Sequence, residues 1–261
     1  MRRIGIVEVS YRRGHKYLTV VVEHDTRRLL WIAEGRDSTV LGRFFQLLGP
    51  IRCAWITLVT AAGAEWIFSA VSRYCPRARI CLDPFHVVMW AGKALDAVRA
   101  QVYTAARKAG QKAVADSVKG AKWALWKNAA DLTTRQQAKL AHIEQTNQPL
   151  FRAYLLNQQL RQVFTSPGGA DRADLLDAWL DWAQTSGLTQ FADLAYRIRR
   201  YWREDIINTL TYRLSNGLVE STNTKIRLLT RIAFGFKNPQ ALIAMVRLHL
   251  CGYDLPLPGR T

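Results

Sequence analysis

Strand-forming sequence in this chain is confined to its first third. The first three strand patterns are joined by tight links typical of antiparallel hairpins, and one helical pattern precedes each of the last two strands, the first of these helices being capped at Ser38. This order predicts an α/β fold with a mixed five-stranded sheet. The five predicted strands, short runs rich in β-branched or apolar residues, lie at residues 3–10, 17–24, 29–34, 54–60 and 79–82.

From residue 85 to residue 214 the strand pattern is replaced by apolar residues at helical spacing, without a fixed-period repeat. We therefore predict a sheet domain that is interrupted by a large all-helical insertion and completed by C-terminal helices. The predicted parts are residues 1–96 for the first part of the sheet domain, 97–212 for the insertion, 213–252 for the completing helices and 253–261 for a tail.

The charge of the chain points to a polyanionic partner. Lys and Arg number 37 against 20 Asp and Glu, which leaves a formal net charge of +17. Basic surfaces bind nucleic acid because each neutralised phosphate releases condensed counterions. A solvated basic surface, or binding to ribosomes or lipid head groups, would also account for the charge.

The cysteines indicate a reducing compartment. Cys53, Cys75, Cys81 and Cys251 form no Cys-x-x-Cys pair, so a structural zinc site is not expected. With no secretory signal pattern, the cytoplasm is the predicted location. No apolar run approaches the roughly twenty residues that span a bilayer, so no membrane partner is expected.

A polar helix pattern near the C-terminus is suited to phosphodiester chemistry. Glu220, Asn223 and Arg227 share one helix face, and Lys225 and Arg231 add positive charge beside them. A carboxylate, an amide and several cations are the groups that a phosphodiester site requires. The alternative is an amphipathic helix whose charged residues lie in solvent.

Three stretches, in this order, resemble the DDE-type transposases of bacterial insertion sequences: Tyr11 to Tyr17, the run Asp83-Pro84-Phe85-His86-Val87-Val88, and residues 215–236. The resemblance covers residues 4–250 and is to the ISL-three-like branch, whose full-length members begin with a zinc finger and a helix-turn-helix. It implies an RNase H-like fold and a function in DNA transposition by metal-dependent strand cleavage and transfer.

The same resemblance implies a metal site made of three acidic residues that hold two Mg²⁺ or Mn²⁺ ions. Glu220 matches the family's catalytic, metal-binding glutamate, whereas the two aspartate positions are Val7 and Ala62 here. Valine and alanine cannot ligate a hard cation, so we expect a catalytically impaired protein. Glu8 cannot replace the residue at position 7 because adjacent strand residues point to opposite faces.

Four further residues have two interpretations each. Asp83 is either a second catalytic carboxylate or a turn residue before Pro84. His86 is either a phosphate or metal-site contact or a core histidine, and His15 and Lys16 either touch DNA or lie in a solvated turn. The tryptophans of the helical part, Trp123, Trp126, Trp179, Trp182 and Trp202, are expected mostly in the core, although one or two could stack on unpaired bases.

The chain starts just before its first predicted strand, so we expect an N-terminally truncated protein without the modules that read DNA ends. The expected partner is DNA, bound non-specifically and in a salt-sensitive way, in the bacterial cytoplasm at the nucleoid. A homo-oligomer, or a mixed oligomer with an intact transposase, is also possible. The alternatives are a non-catalytic DNA-binding or regulatory protein derived from a transposase, and a helical scaffold without DNA affinity.

Overall fold

The computed structural model describes residues 1–12, 14–166 and 171–252. Within them the chain forms two compact units, one made of residues 1–83 together with the chain from Tyr212 onward, the other of residues 84–211. The predicted tail, residues 253–261, lies outside the described residues.

The first unit contains a five-stranded mixed sheet in the order β3-β2-β1-β4-β5. Strands β1 and β2, and β2 and β3, pair antiparallel, whereas β4 pairs parallel with both β1 and β5. The strands are β1 (Arg3–Arg12), β2 (Lys16–Glu23), β3 (Leu29–Glu34), β4 (Leu58–Ala61) and β5 (Arg79–Leu82). The predicted α/β class, with an RNase H-like mixed sheet flanked by helices, is confirmed.

Each face of the sheet is covered by its own apolar cluster. On one face Ile4 and Ile6 of β1 pack with Phe45 and with residues of the helices that connect the strands. On the other face Val7 and Val9 of β1 pack with residues of the two C-terminal helices. The helices of this unit are α1 (Ser38–Leu48), α2 (Pro50–Cys53), α3 (Glu65–Tyr74), α12 (Gly217–Ile232) and α13 (Pro239–Leu250).

Two details of this unit differ from the sequence prediction. The strand predicted at residues 54–60 is shorter and later, because Pro50 begins the additional short helix α2 and the strand β4 starts only at Leu58. The cap of α1 is Asp37 rather than Ser38, since the Asp37 carboxylate accepts a hydrogen bond from the Val40 N–H at 2.8 Å.

The described residues of the second unit form helices joined by turns and short connecting segments, without a strand. Its core includes the fully buried Trp179, whose indole N–H donates to the Leu156 carbonyl at 2.8 Å. Its helices are α4 (Pro84–Lys108), α5 (Lys112–Gly120), α6 (Lys122–Trp126), α7 (Thr134–Thr146), α8 (Gln148–Thr165), α9 (Asp171–Thr185), α10 (Thr189–Arg197) and α11 (Arg203–Tyr212), the last ending where the first unit resumes. A π-helical segment, Ile198–Trp202, joins α10 to α11.

The border of the helical unit falls at the start of α4. The insertion was predicted to begin at residue 97, which lies in the middle of this continuous 25-residue helix.

No helix in the described part of the chain is both long and apolar enough to cross a membrane.

Candidate catalytic site at the sheet edge

The carboxyl ends of β4 and β5, together with the part of β1 that lies beside them, define the candidate site. Ile6 of β1 is opposite Ala61 of β4, and Ala61 is opposite Leu82 of β5. The residue that follows each of them is Val7, Ala62 or Asp83, and the Asp83 N–H extends the ladder by donating to the Ala61 carbonyl at 3.1 Å. Because side chains in register point to the same face, these three residues form one row across the sheet edge. We refer to Val7, Ala62 and Asp83 as the strand-end row.

Helix α12 covers the face towards which this row points. Val219 of α12 packs so closely on Gly5 of β1 that a Cβ atom added at Gly5 would lie 2.4 Å from a methyl carbon of Val219. Val219 and Val7 belong to the same apolar cluster. The fold therefore places Val7 on the side of the sheet covered by the helix that bears Glu220.

Glu220 lies in the first turn of α12 and is exposed. Asn216 and Asn223, four residues before it and three after it, share its side of the helix. Both have a buried side-chain Oδ1 atom without a hydrogen-bond partner in the described part of the chain. This side of α12 thus offers one carboxylate and two amide oxygens.

The residues of the site do not fit the two-metal centre that the family resemblance implies. Such a centre requires carboxylate oxygens on the strands as well as on the helix. Val7 and Ala62 are buried hydrocarbon side chains, and Asp83 is the only carboxylate of the strand-end row. Among the described residues there is no group of three or more His, Cys, Asp or Glu side chains that could hold a metal ion.

Two further carboxylates are close to the strand-end row in the sequence. Glu8 lies on the opposite face from Val7, as strand alternation predicts, and pairs with Arg36 at 3.6 Å. Glu8 therefore does not replace the carboxylate missing at position 7. Glu65 is the first residue of α3 and is exposed.

The cations predicted on α12 are all at the surface. Lys225, Arg227 and Arg231 are exposed, and within the described ranges none of them forms an ion pair. They are therefore free to meet phosphates, whereas Asn223 is partly buried on the same helix.

Two of the remaining predicted site residues, His15 and Lys16, lie apart from the strand-end row. His15 and Lys16 are exposed in the β1–β2 hairpin, where the His15 ring stacks on Tyr17 at 6.4 Å between centroids. From Val7 to Arg12, β1 continues for five residues, so this tip is about 17 Å further along the strand. His86 belongs to the helical unit, where its ring meets Phe85 edge-on at 5.7 Å.

Two notable residues have no clear signal in the sequence. His24, after β2, bonds through Nε2 to the Thr60 hydroxyl at 2.8 Å, and burial together with the nearby Arg3 lowers its pKa. Phe234, just after α12, is fully exposed and has a left-handed backbone with φ of 53°. The position of His24 depends on strand pairing and that of Phe234 on the end of a helix, so local sequence patterns do not reveal them.

Comparisons with known proteins identify the family of this chain. A family model described as Transposase, of the ISL3 type of DDE transposases, matches residues 4–246. The chain is 50% identical, over 279 residues, to the transposase for insertion sequence element IS1557 of Mycobacterium tuberculosis, an alignment that covers 100% of this chain and 62% of that protein. It is 28% identical over 250 residues to the transposase for insertion sequence element IS1001 of Bordetella parapertussis, covering 94% of this chain and 60% of that protein.

The chain thus spans less than two thirds of the length of these relatives. The family model, by contrast, includes the whole sheet, the helical unit and α12. On this match, which runs through Val7, Ala62, Asp83 and Glu220, the chain belongs to the ISL3 family of DDE transposases.

Proposed function

We propose that this chain acts in the DNA transposition of an insertion sequence and that its own capacity for strand cleavage and transfer is impaired. The proposal for DNA follows from the family, from the net charge of +17 and from the exposed cations that follow Glu220 along α12. Phosphate contacts of this kind position a protein on DNA without reading sequence, so binding is non-specific.

The register of the sheet is the observation behind the proposed impairment. It aligns Val7 and Ala62 with Asp83 on the face that α12 covers, where the family requires carboxylates. Hydrocarbon side chains neither bind a divalent cation nor offset the charge that develops during phosphodiester cleavage. Glu220 and Asp83 are the two carboxylates left for catalysis, and only Glu220 is carried over as a metal ligand from the family.

A calorimetric titration of Mn²⁺ tests the impairment. The unmodified protein is expected to bind no Mn²⁺ at this site, and the Val7→Asp/Ala62→Asp double variant is expected to bind it. Adding Glu220→Ala to the double variant should abolish binding, whereas adding Glu8→Gln should leave it intact because Glu8 lies on the other face. An Asp83→Asn change in the same background decides whether Asp83 is a ligand.

Two new carboxylates at buried positions repel each other, so the double variant is also examined by thermal unfolding. A site that binds Mn²⁺ raises the melting temperature as the metal concentration increases, even in a destabilised variant. Binding of Mn²⁺ by the unmodified protein, lost in Glu220→Ala, would show that the proposed ligand assignment is wrong and would remove the ground for the proposed impairment.

The proposed partner and location follow from the same function. A protein that binds chromosomal DNA through its phosphates acts in the cytoplasm at the nucleoid, and its affinity falls as salt is added. Formation of a homo-oligomer or of a mixed oligomer with an intact transposase stays a prediction, which sedimentation of the protein with and without DNA would test.

A further inference from the structure

The helical unit contains an apolar cavity of about 450 Å³. This size is within the range of ligand pockets, roughly 300–1,000 Å³. One wall is formed by α4, with Val88, Met89 and Leu95, and another by the indole of Trp126 at the end of α6. The Trp126 side chain is partly exposed, which leaves an aromatic surface accessible at the cavity.

Asn157 of α8 is the unusual residue of this cavity. It lines the cavity, its side chain is fully buried, and neither its amide oxygen nor its amide nitrogen has a hydrogen-bond partner among the described residues. A buried amide without partners is unfavourable and rare in folded proteins. A ligand that offers both a donor and an acceptor would satisfy both amide atoms at once.

The wall that carries Trp126 is fixed to α8 by hydrogen bonds. Arg161, one turn beyond Asn157, donates from Nη2 to the Trp126 carbonyl at 2.9 Å and also bonds the Asn128 side chain. Gln158 donates to the Lys127 carbonyl at 2.9 Å. The Arg161 Nε atom, which is buried, has no partner within the described part of the chain. The aromatic wall is therefore held against α8, the helix that carries Asn157.

The cations around the cavity indicate that its ligand carries negative charge. Lys93 and Arg161 line the cavity, and the Lys122 ammonium lies 5.7 Å from the centre of the Trp126 ring. An aromatic surface, an amide with a free donor and acceptor, and adjacent cations match the three parts of a nucleotide, namely a flat ring, a hydrogen-bonding edge and a phosphate.

We propose that this cavity binds one unstacked base of a DNA strand, with the base on Trp126 and its polar edge on the Asn157 amide. The proposal rests on DNA being the partner of the proposed function. Stacking on an aromatic side chain is tolerant of sequence because every base has a flat face. The site would hold a strand whose bases are unpaired and would add affinity that phosphate contacts alone do not provide.

The test compares two single strands of equal length and charge, one of thymidine nucleotides and one of abasic deoxyribose phosphates, by fluorescence anisotropy. The unmodified protein is expected to bind the thymidine strand more tightly, on the order of tenfold, as measured for single base–aromatic stacks. Trp126→Ala and Asn157→Leu should each remove most of this preference and leave affinity for the abasic strand unchanged.

Trp123 provides the matched control. It lies on the same helix, is more exposed than Trp126, also has Lys122 near its ring and does not line the cavity. Trp123→Ala should therefore keep the preference, and Trp126→Phe, which retains an aromatic face, should keep most of it. Melting curves verify that each variant is folded.

The outcomes separate this proposal from the function on which it rests. Equal binding of the two strands by the unmodified protein overturns the base-binding cavity while DNA binding stands. Loss of the preference in Trp123→Ala but not in Trp126→Ala overturns the base-binding cavity as well. A change of oligomeric state in Trp126→Ala, with the preference intact, also overturns it, because the occupant would then be a second protein molecule. Absence of binding to either strand overturns the DNA function itself.

Discussion

At the scale of single residues, Gly5 controls how closely α12 approaches the sheet. A Cβ atom at this position would lie 2.4 Å from Val219 and 3.0 Å from the Thr60 hydroxyl oxygen. We predict that Gly5→Ala lowers the free energy of unfolding by about 1–3 kcal/mol, the usual effect of overpacking a core. Urea denaturation followed by circular dichroism measures the change.

Gly92 and Val219 supply the controls for this prediction. A Cβ atom added at Gly92, within α4, meets no atom within 4 Å, so Gly92→Ala should raise the free energy of unfolding by about 0.5–1 kcal/mol. Val219→Ala should cost less stability in the Gly5→Ala background than alone, because it removes the clash. Strictly additive effects of the two substitutions would contradict the close approach of Val219 to Gly5.

Asp205 of α11 gives the helical unit a pH-dependent stability. Burial, and next the charge of Glu204, raise the pKa of Asp205 from 3.8 to about 7. The folded state therefore holds the proton more tightly than the unfolded state. The resulting contribution to stability is fully present below about pH 4 and is lost as the pH rises through about 7. Thermal unfolding across this range should show less loss for Asp205→Asn, whose amide stays neutral. An unchanged pH profile in this variant would disprove the role of Asp205.

At the scale of elements, the sequence predicts the strands and helices whose signals are local. The hairpin strands were predicted within a few residues of β1 to β3, since β-branched runs and tight turns are local signals, and the helix that bears Glu220 matches α12. The strand predicted at residues 54–60 was displaced because an apolar run beginning at Ala54 does not distinguish the end of α2 from the start of β4. The π-helical segment Ile198–Trp202 lies within the part of the chain predicted to be helical, and the spacing of apolar residues does not reveal it.

The sequence predicts only part of the candidate catalytic site, because the rest depends on contacts between distant parts of the chain. Opposite faces for Val7 and Glu8 follow from strand alternation alone, and the fold agrees. The alignment of Val7, Ala62 and Asp83 depends on pairing between strands that are far apart in the chain, which periodicity does not encode. The Asn157 amide and the Asn216 Oδ1 atom, which have no hydrogen-bond partner among the described residues, depend on the packing of whole helices.

Helix α12 is predicted to bind DNA phosphates through its exposed arginines. If Arg227 and Arg231 bind phosphates, the Arg227→Gln/Arg231→Gln variant should bind duplex DNA more weakly. The slope of its log affinity against log salt should be shallower by about one for each phosphate that is no longer neutralised. The control is Arg52→Gln/Arg135→Gln, which removes the same charge from exposed positions of α2 and α7. Equal reductions by the two variants would attribute binding to net charge rather than to α12.

At the scale of the whole molecule, the excess of positive charge underlies the proposed binding to DNA. With a net charge of +17, each phosphate that the protein neutralises releases counterions, and the slope of log affinity against log salt is about −0.9 per phosphate on duplex DNA. Such binding depends on the phosphate spacing, which is the same in every duplex. Affinity should therefore vary strongly with salt and little with sequence.

The corresponding prediction is a loss of affinity of at least about tenfold between about 50 and 200 mM salt, which requires only about two neutralised phosphates. Fluorescence anisotropy with two unrelated duplexes of equal length should give matching slopes, because the described site offers cations to the phosphate backbone in either case. Melting curves in the same salts exclude unfolding as the cause. Affinity that stays constant over this range would contradict electrostatic binding, and slopes that differ between the duplexes would indicate that the chain reads DNA sequence.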